Sequence, residues 1–224
     1  FGALPQRAAK KEVRPDARKL TFPEAGAREF TFRSEIPKAA VFAYWPTADI
    51  WDIGRSRRLG LLGDVFADRL RKKVREELGE SYSPGAYHMP SDVWEGYGYL
   101  VAMVTLKPEQ AERVGEILIA IGDELAHGEI GEDEFQRAKA PRIARLDQLR
   151  RENSYWMDSV LQTSQEHPQR IDWARTILPD YAAITCEEVA EQAQEYLSRE
   201  RVVVVQLIPE SVVTADPPSL EEDA

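Results

Sequence analysis

An apolar stripe in the first half of the chain predicts one long, half-buried helix. Over residues 52–78 the apolar side chains recur three and four positions apart, which is the period of a single buried helix face. Gly79 follows the stripe and supplies a stop signal for the helix. The segment after it is rich in aromatic residues, so the sequence predicts that the helix leads directly into a strand. The stripe consists of Leu59, Leu62, Phe66, Leu70, Val74 and Leu78.

The rest of the pattern predicts two strands before this helix, a hairpin after it and a mainly helical second half. Pro46 is expected to close the second strand because it cannot donate to a ladder, and Pro141 is expected to kink or interrupt a helix. This order of elements predicts an α+β fold, an antiparallel sheet with helices packed on one face. The strands are expected at 29–33, 39–45, 81–89, 97–106 and 201–208, and the further helices at 108–128, from 131 onward, 153–165, 170–176 and 187–197.

Composition divides the chain into three parts. Residues 1–27 are rich in Pro, Ala, Lys and Arg without a sustained period, so they are predicted to be a linker from an upstream domain. Residues 28–210 are predicted to form a single domain, and the polar residues 211–224 a disordered tail. Because the chain begins at Phe1 rather than at a methionine, we expect it to be a piece of a longer protein.

The bulk properties exclude several classes of function. A formal net charge of −10 argues against nucleic-acid binding, which requires a basic face. No apolar run approaches the roughly 20 residues of a membrane span. Cys186 is the one cysteine, which rules out an internal disulfide framework.

Several phrases of the sequence, in this order, are similar to the M16 (insulinase/pitrilysin-type) zinc metallopeptidases. The stretch 74–84 reads VREELGESYSP and resembles the family phrase R-E-x-L-G-x-x-Y-S, and 128–139 resembles its G-x-I-x-x-x-E-x-x-x-A-K segment. The phrase NSYW at 153–156 is similar to the N-x-Y-W phrase of bacterial members, and the lead-in FGALP at 1–5 resembles the linker before the last domain in longer bacterial members built from four such domains. The resemblance implies an M16-type (LuxS/MPP-like) domain, in particular the C-terminal domain that does not bind zinc.

The zinc motif of the catalytic members is missing. Those members carry H-x-x-E-H on a helix, where two histidines on one face hold zinc and the glutamate acts as general base. The histidines of this chain, His88, His127 and His167, are far apart in the sequence. We therefore expect no metal-binding and no catalytic residues on this fragment, which should be inactive alone, and we expect zinc in the catalytic domain of the parent protein.

The resemblance also implies substrate-binding roles for Arg75 and Tyr82. In active members the equivalent arginine and tyrosine come from the half without zinc and hydrogen-bond the substrate near the scissile carbonyl. A guanidinium and a phenol can both donate to a developing oxyanion. The residue types alone also fit a cation near a helix C-terminus and a half-buried strand aromatic.

Two functions remain open at this stage. The resemblance implies a non-catalytic domain of a bacterial zinc metalloendopeptidase, which closes the proteolytic chamber and binds an extended peptide substrate for a zinc domain elsewhere. Its partners would be upstream M16 domains or a zinc-bearing subunit, and its compartment would be the periplasm. The alternative is a scaffold or protein-interaction module of a proteolytically inactive M16-like protein. The zinc motif in the upstream sequence would discriminate between the two.

Overall fold

The computed structural model describes residue 3 and residues 19–78, 83–128 and 130–210. Two strands precede a long helix, two more follow it, and the second half is helical until a last strand. The strands are β1 (Gly26–Arg33), β2 (Ala39–Thr47), β3 (Gly85–Pro90), β4 (Gly98–Leu106) and β5 (Val203–Glu210). The helices are α1 (Ile53–Leu78), α2 (Ala111–His127), α3 (Glu132–Leu149), α4 (Gln169–Ala183) and α5 (Cys186–Tyr196), with a π-helix at Tyr155–Leu161 and short 3₁₀ turns at Pro108–Gln110 and Arg199–Arg201.

The five strands form one sheet in the order β1-β5-β2-β4-β3. The predicted hairpin is confirmed, with β3 and β4 antiparallel and Tyr87 opposite Val101. The last strand does not join an outer edge but lies between β1 and β2, antiparallel to β2 and parallel to β1. The α+β fold class is therefore confirmed, with a mixed sheet in which one of the four strand pairs is parallel.

The helices pack on the sheet face that carries every second residue of β2. On this face Val41 and Trp45 are at most 1% exposed. The stripe residues of α1 up to Val74 are buried, and the Phe66 ring meets Trp45 with 5.4 Å between ring centroids. Helix α2 packs tightly against this face at Gly122, where an added Cβ would lie 2.6 Å from the Trp45 ring. The predicted apolar period of α1 therefore builds the centre of the core.

Lys139 is a buried charge that ties α3 to the connection between α4 and α5. Its Nζ donates to the backbone carbonyls of Ala182 and Ile184, both at 2.7 Å. The ammonium also lies 5.2 Å from the centroid of the Phe135 ring. Buried polar groups need such partners, so this lysine of the 128–139 phrase is a structural residue.

The second face of the sheet carries an apolar surface that we call the aromatic face. Phe30, Phe32, Tyr87 and Met89 are between 41% and 53% exposed there. In the middle of the face the Tyr44 and Tyr99 rings pack edge to face with 5.5 Å between centroids. The strand registers place eight aromatic or methionine side chains on this face, namely Phe30, Phe32, Phe42, Tyr44, Tyr87, Met89, Tyr99 and Met103.

Pro46 lies inside strand β2, which it was expected to close, and Pro141 lies inside helix α3, which it was expected to kink or interrupt. Strand β2 continues through Pro46, because its ladder with β5 stops at Tyr44 and the missing N–H faces no strand there. The Pro46 carbonyl on that side accepts a hydrogen bond from Arg201 Nη2 at 3.2 Å. Helix α3 runs through the exposed Pro141 without interruption, and water can reach the carbonyl that lacks a donor. The expectation that Pro46 ends the strand was wrong, and Pro141 does not interrupt the helix.

Candidate functional site

A cavity of about 700 Å³ opens between α1, α3 and the edge strand β3. We call it the edge groove. Strand β3 contributes Ala86 and Tyr87, and the two helices contribute the charged walls. On α1 the charged lining residues are Asp64, Asp68 and Arg71, and on α3 they are Arg137, Arg142 and Arg145.

Ion pairs between the walls hold the two helices at a fixed separation. Arg142 makes a bidentate contact with Asp64, Nε to Oδ2 at 2.6 Å and Nη2 to Oδ1 at 2.8 Å. Burial alone would lower the pKa of Arg142, but the hydrogen bond and charge of Asp64 outweigh it and raise that pKa. Arg137 Nε lies 3.3 Å from Asp68 Oδ2. The groove is thus a built feature of the α1–α3 contact.

The charges of the groove do not cancel. Burial would raise the pKa of Asp68, but the hydrogen bonds and charges of Lys72 and Arg137 lower it, so this carboxylate is ionised at neutral pH. Among the described lining residues, four arginines nevertheless face two aspartates. Arg145 is exposed and makes no ion pair or hydrogen bond with any residue that the structure describes. The groove is cationic in a chain whose formal net charge is −10.

Arg75, the first predicted site residue, lies on the last turn of α1. It follows Arg71 by one helical turn, so its side chain continues the row of α1 residues that line the groove. Its side chain is exposed, and within the described ranges it has no hydrogen-bonding or ionic partner. Tyr82, the second predicted site residue, lies outside the described residues.

His88 points into the molecule rather than into the edge groove. Its Nε2 lies 3.1 Å from the Thr47 hydroxyl, and the ring is hydrogen-bonded to the backbone of Ser56. Burial lowers the pKa of His88 to about 4, and the charge of Arg55 acts in the same direction. The imidazole is therefore neutral at pH 7.

Sequence reasoning missed the arginines of α3 as site residues. The signal that was available is the spacing of the charged row 64, 68, 71 and 75 on α1, which is that of one helix face. That α3 places Arg142 against this row follows from the tertiary packing, which no local pattern in the sequence specifies.

Metal ligation finds no support among the described residues. No group of three or more His, Cys, Asp or Glu side chains in those ranges is arranged to hold a metal ion. His167 instead packs against Trp51, with 4.4 Å between ring centroids. In the same part of the chain, no helix combines the length and the apolar character needed to span a bilayer.

The mixed sheet, with helices on one face and the aromatic face on the other, agrees with a domain of the peptidase M16 type. Residues 1–141 match the sequence profile of the peptidase M16 inactive domain, and the chain belongs to this family. No curated protein matched the sequence.

Solved structures of a protease and of two inactive peptidase domains share the fold. A protease from Helicobacter pylori superposes with a TM-score of 0.71 at 13% identity, over 92% of this chain and 48% of that one. The peptidase M16 inactive domain from Pseudomonas fluorescens gives 0.70 at 16% identity, over 93% and 48%. This chain thus spans about half the length of those two. The inactive peptidase domain of a proposed zinc protease from Bordetella parapertussis gives 0.67 at 16% identity, over 83% of this chain and 98% of that domain.

Proposed function

We propose that this chain is the non-catalytic domain of a bacterial zinc metalloendopeptidase. In this role it closes the proteolytic chamber and holds an extended peptide substrate for a zinc domain located elsewhere. Membership of the inactive-domain family supports the non-catalytic part of the proposal. The upstream M16 domains, or a zinc-bearing subunit, supply the metal.

The observation that carries the proposal is the aromatic face. Monomeric proteins rarely leave a contiguous apolar patch of several hundred Å² in water, and larger patches mark interaction sites. Here Phe30, Phe32, Tyr87 and Met89 are 41–53% exposed on one side of the sheet. A domain that stands against another domain across a chamber has a use for such a surface.

Arg75 and Tyr82 are the proposed substrate-binding residues. Arg75 is an exposed guanidinium with no partner among the described residues, so none of the contacts in that part of the chain has to break before it binds a peptide. Donors of this kind stabilise a developing oxyanion from across a cleft without touching the metal.

The test uses the full-length parent protein with an intact H-x-x-E-H motif. Removal of one oxyanion donor costs about 10²–10³ in kcat, so Arg75→Ala and Tyr82→Phe should each slow cleavage of a short fluorogenic peptide by that range. Zinc content should not change, because neither residue ligates the metal. Arg33→Ala, an exposed arginine on β1, is the matched control and should turn over as wild type.

Wild-type turnover in both site variants would show that the two residues are structural. A parent without the zinc motif would instead favour the scaffold or interaction module of an inactive M16-like protein. The aromatic face is compatible with that alternative as well, so the upstream motif decides between the two functions.

A further inference from the structure

We infer that the outer edge of β3, which pairs with no second strand within the described ranges, accepts one additional strand, an extended peptide in which acidic side chains alternate with apolar ones. The inference rests on the proposed peptide-binding function and specifies the chemistry of the peptide. It follows from the contrast between the two edges of the sheet, from the backbone groups of β3 and from the charge of the edge groove.

The two edge strands of the sheet differ in how they are protected. Natural sheets guard a free edge with charged side chains, prolines or bulges, because an unprotected edge pairs with other chains. Strand β1 follows this rule, since it carries Arg28, Glu29 and Arg33 within eight residues. Strand β3 has the sequence GAYHMP, without a charged side chain at neutral pH, and its one proline stands at its end. The β3 edge therefore lacks the charged side chains that protect an edge from pairing with another strand.

Backbone groups of β3 are available for a new ladder. The Ser91 N–H donates to the Tyr97 carbonyl at 3.0 Å, and antiparallel pairing alternates from there along the hairpin. In that alternation Ala86 and His88 direct their N–H and C=O groups away from β4. Pro90, which has no N–H to offer, stands at the next such position. Strand addition to such an edge is an established mode of peptide recognition.

Charge complementarity identifies the side chains that would face the helices. Alternate residues of an added strand point to opposite sides of the sheet, so one set enters the edge groove. There Arg71, Arg137, Arg142 and Arg145 outnumber the two aspartates, and Arg145 has no ionic partner among the described residues. Acidic side chains fit this set. The cavity beside β1, of about 480 Å³, is lined by Glu29, Glu112 and Glu116 with Arg28 and would repel them.

The intervening side chains of the peptide would lie on the aromatic face. On that side β3 presents Tyr87 and Met89, which are 44% and 47% exposed. Burial of these two residues under valine-sized neighbours removes apolar surface from water, which favours binding. The two sides together specify an alternation of acidic and apolar residues.

Fluorescence anisotropy with labelled synthetic peptides tests the chemistry of the ligand. The probe is an end-capped peptide of alternating glutamate and valine, long enough to span the six residues of β3. It should bind the 224-residue chain at least about tenfold more tightly than the same peptide with lysine in place of glutamate. Its affinity should fall as salt is added. Equal affinity for the two peptides would overturn the inference.

Backbone N-methylation separates strand addition from charge attraction. In an added strand, every residue whose N–H faces β3 has its side chain on the same side of the sheet. N-methylation of the glutamates alone should abolish binding if the new pair is antiparallel, and N-methylation of the valines alone should do so if it is parallel. Loss of binding on N-methylation of one set of residues, and not of the other, supports the inference. Loss of binding with both methylated peptides, or with neither of them, refutes it.

A variant of the chain locates the site. Arg145→Glu reverses an exposed charge of the groove that has no partner among the described residues, so the fold should be preserved while binding weakens roughly tenfold or more. Arg33→Glu, the matched reversal on the opposite edge strand, should leave binding unchanged. Unchanged affinity in Arg145→Glu, or an equal loss in Arg33→Glu, would place the peptide elsewhere.

The peptide-binding experiments and the turnover test can fail independently of each other. Preferential binding of the lysine peptide would refute the acidic ligand while leaving the peptide-holding function in place. Wild-type turnover of the Arg75 and Tyr82 variants in the parent would refute that role, and the anisotropy result would still report on the β3 edge.

Discussion

The half-buried histidine of β3, His88, makes the stability of this domain dependent on pH. The His88 ring is hydrogen-bonded to Thr47 and to the backbone of Ser56, with the cation of Arg55 nearby. Burial, as the largest cause, lowers the pKa of His88 from 6.5 to about 4. In the unfolded chain the ring protonates near pH 6.5, whereas in the folded domain it stays neutral until about pH 4. The unfolded state therefore binds the proton more tightly.

The sign and size of the effect follow from this difference. Stability from the neutral ring is fully present above pH 6.5 and is lost as the pH falls from 6.5 towards about 4. A gap of this size corresponds to about 3 kcal/mol once the ring is protonated in both states. At pH 5 roughly 2 kcal/mol should already be lost, which is a large part of the stability of an ordinary domain.

Urea unfolding of the wild type and of His88→Gln over the pH range 7 to about 4.5 measures the effect. Glutamine keeps an amide for hydrogen bonding but does not titrate, and the carboxylates common to both proteins cancel in the difference. The free energy of unfolding of the wild type, relative to the variant, should fall by about 2 kcal/mol between pH 7 and pH 5. Parallel curves for the two proteins would refute the reasoning, because they would mean that His88 titrates alike in the folded and unfolded states.

Two further substitutions and one metal analysis have definite expected outcomes. Lys139→Met should lower the free energy of unfolding by about 2–3 kcal/mol, because the carbonyls of Ala182 and Ile184 lose their donor and that of Ile184 is buried, while Lys38→Met, at an exposed lysine, should stay within about 0.5 kcal/mol; equal losses would contradict this. Gly122→Ala should cost about 1–3 kcal/mol through overlap with Trp45, whereas Gly54→Ala, which meets only ordinary contacts, should be neutral or slightly stabilising. Elemental analysis of the purified chain should find no stoichiometric zinc; near-equimolar zinc that survives dialysis against a weak chelator would contradict the expectation.

The elements with strong periodic patterns were predictable from the sequence. The apolar stripe predicted the bounds of α1 to within one residue, because the period of its buried residues repeats over many helical turns. The hairpin and the β-branched strand β5 were also predicted correctly, because alternation and composition mark them locally. What these elements have in common is that their own residues carry the signal.

The features that the sequence left undetermined depend on contacts between distant segments. Pro46 is tolerated because β2 has lost one neighbour at that point, which no local pattern reveals. The parallel β1–β5 pair likewise depends on where the last strand inserts. The edge groove requires Arg142 of α3 to meet Asp64 of α1, a contact made by packing. Arg75 could be named from its phrase, yet the arginines beside it could not.

The insertion of β5 between β1 and β2 has a consequence for how the chain folds. The ladders of β5 join residues near 26–33 and 40–44 to residues near 203–210, so both are among the longest-range contacts that the chain can make. Such a topology has a high contact order, and loop closure slows its folding. During synthesis on the ribosome, β1 has no partner and β2 keeps an open side until the final strand emerges. The nascent chain is therefore most prone to aggregation just before its last strand is made, when β1 is unpaired and β2 still has one open side.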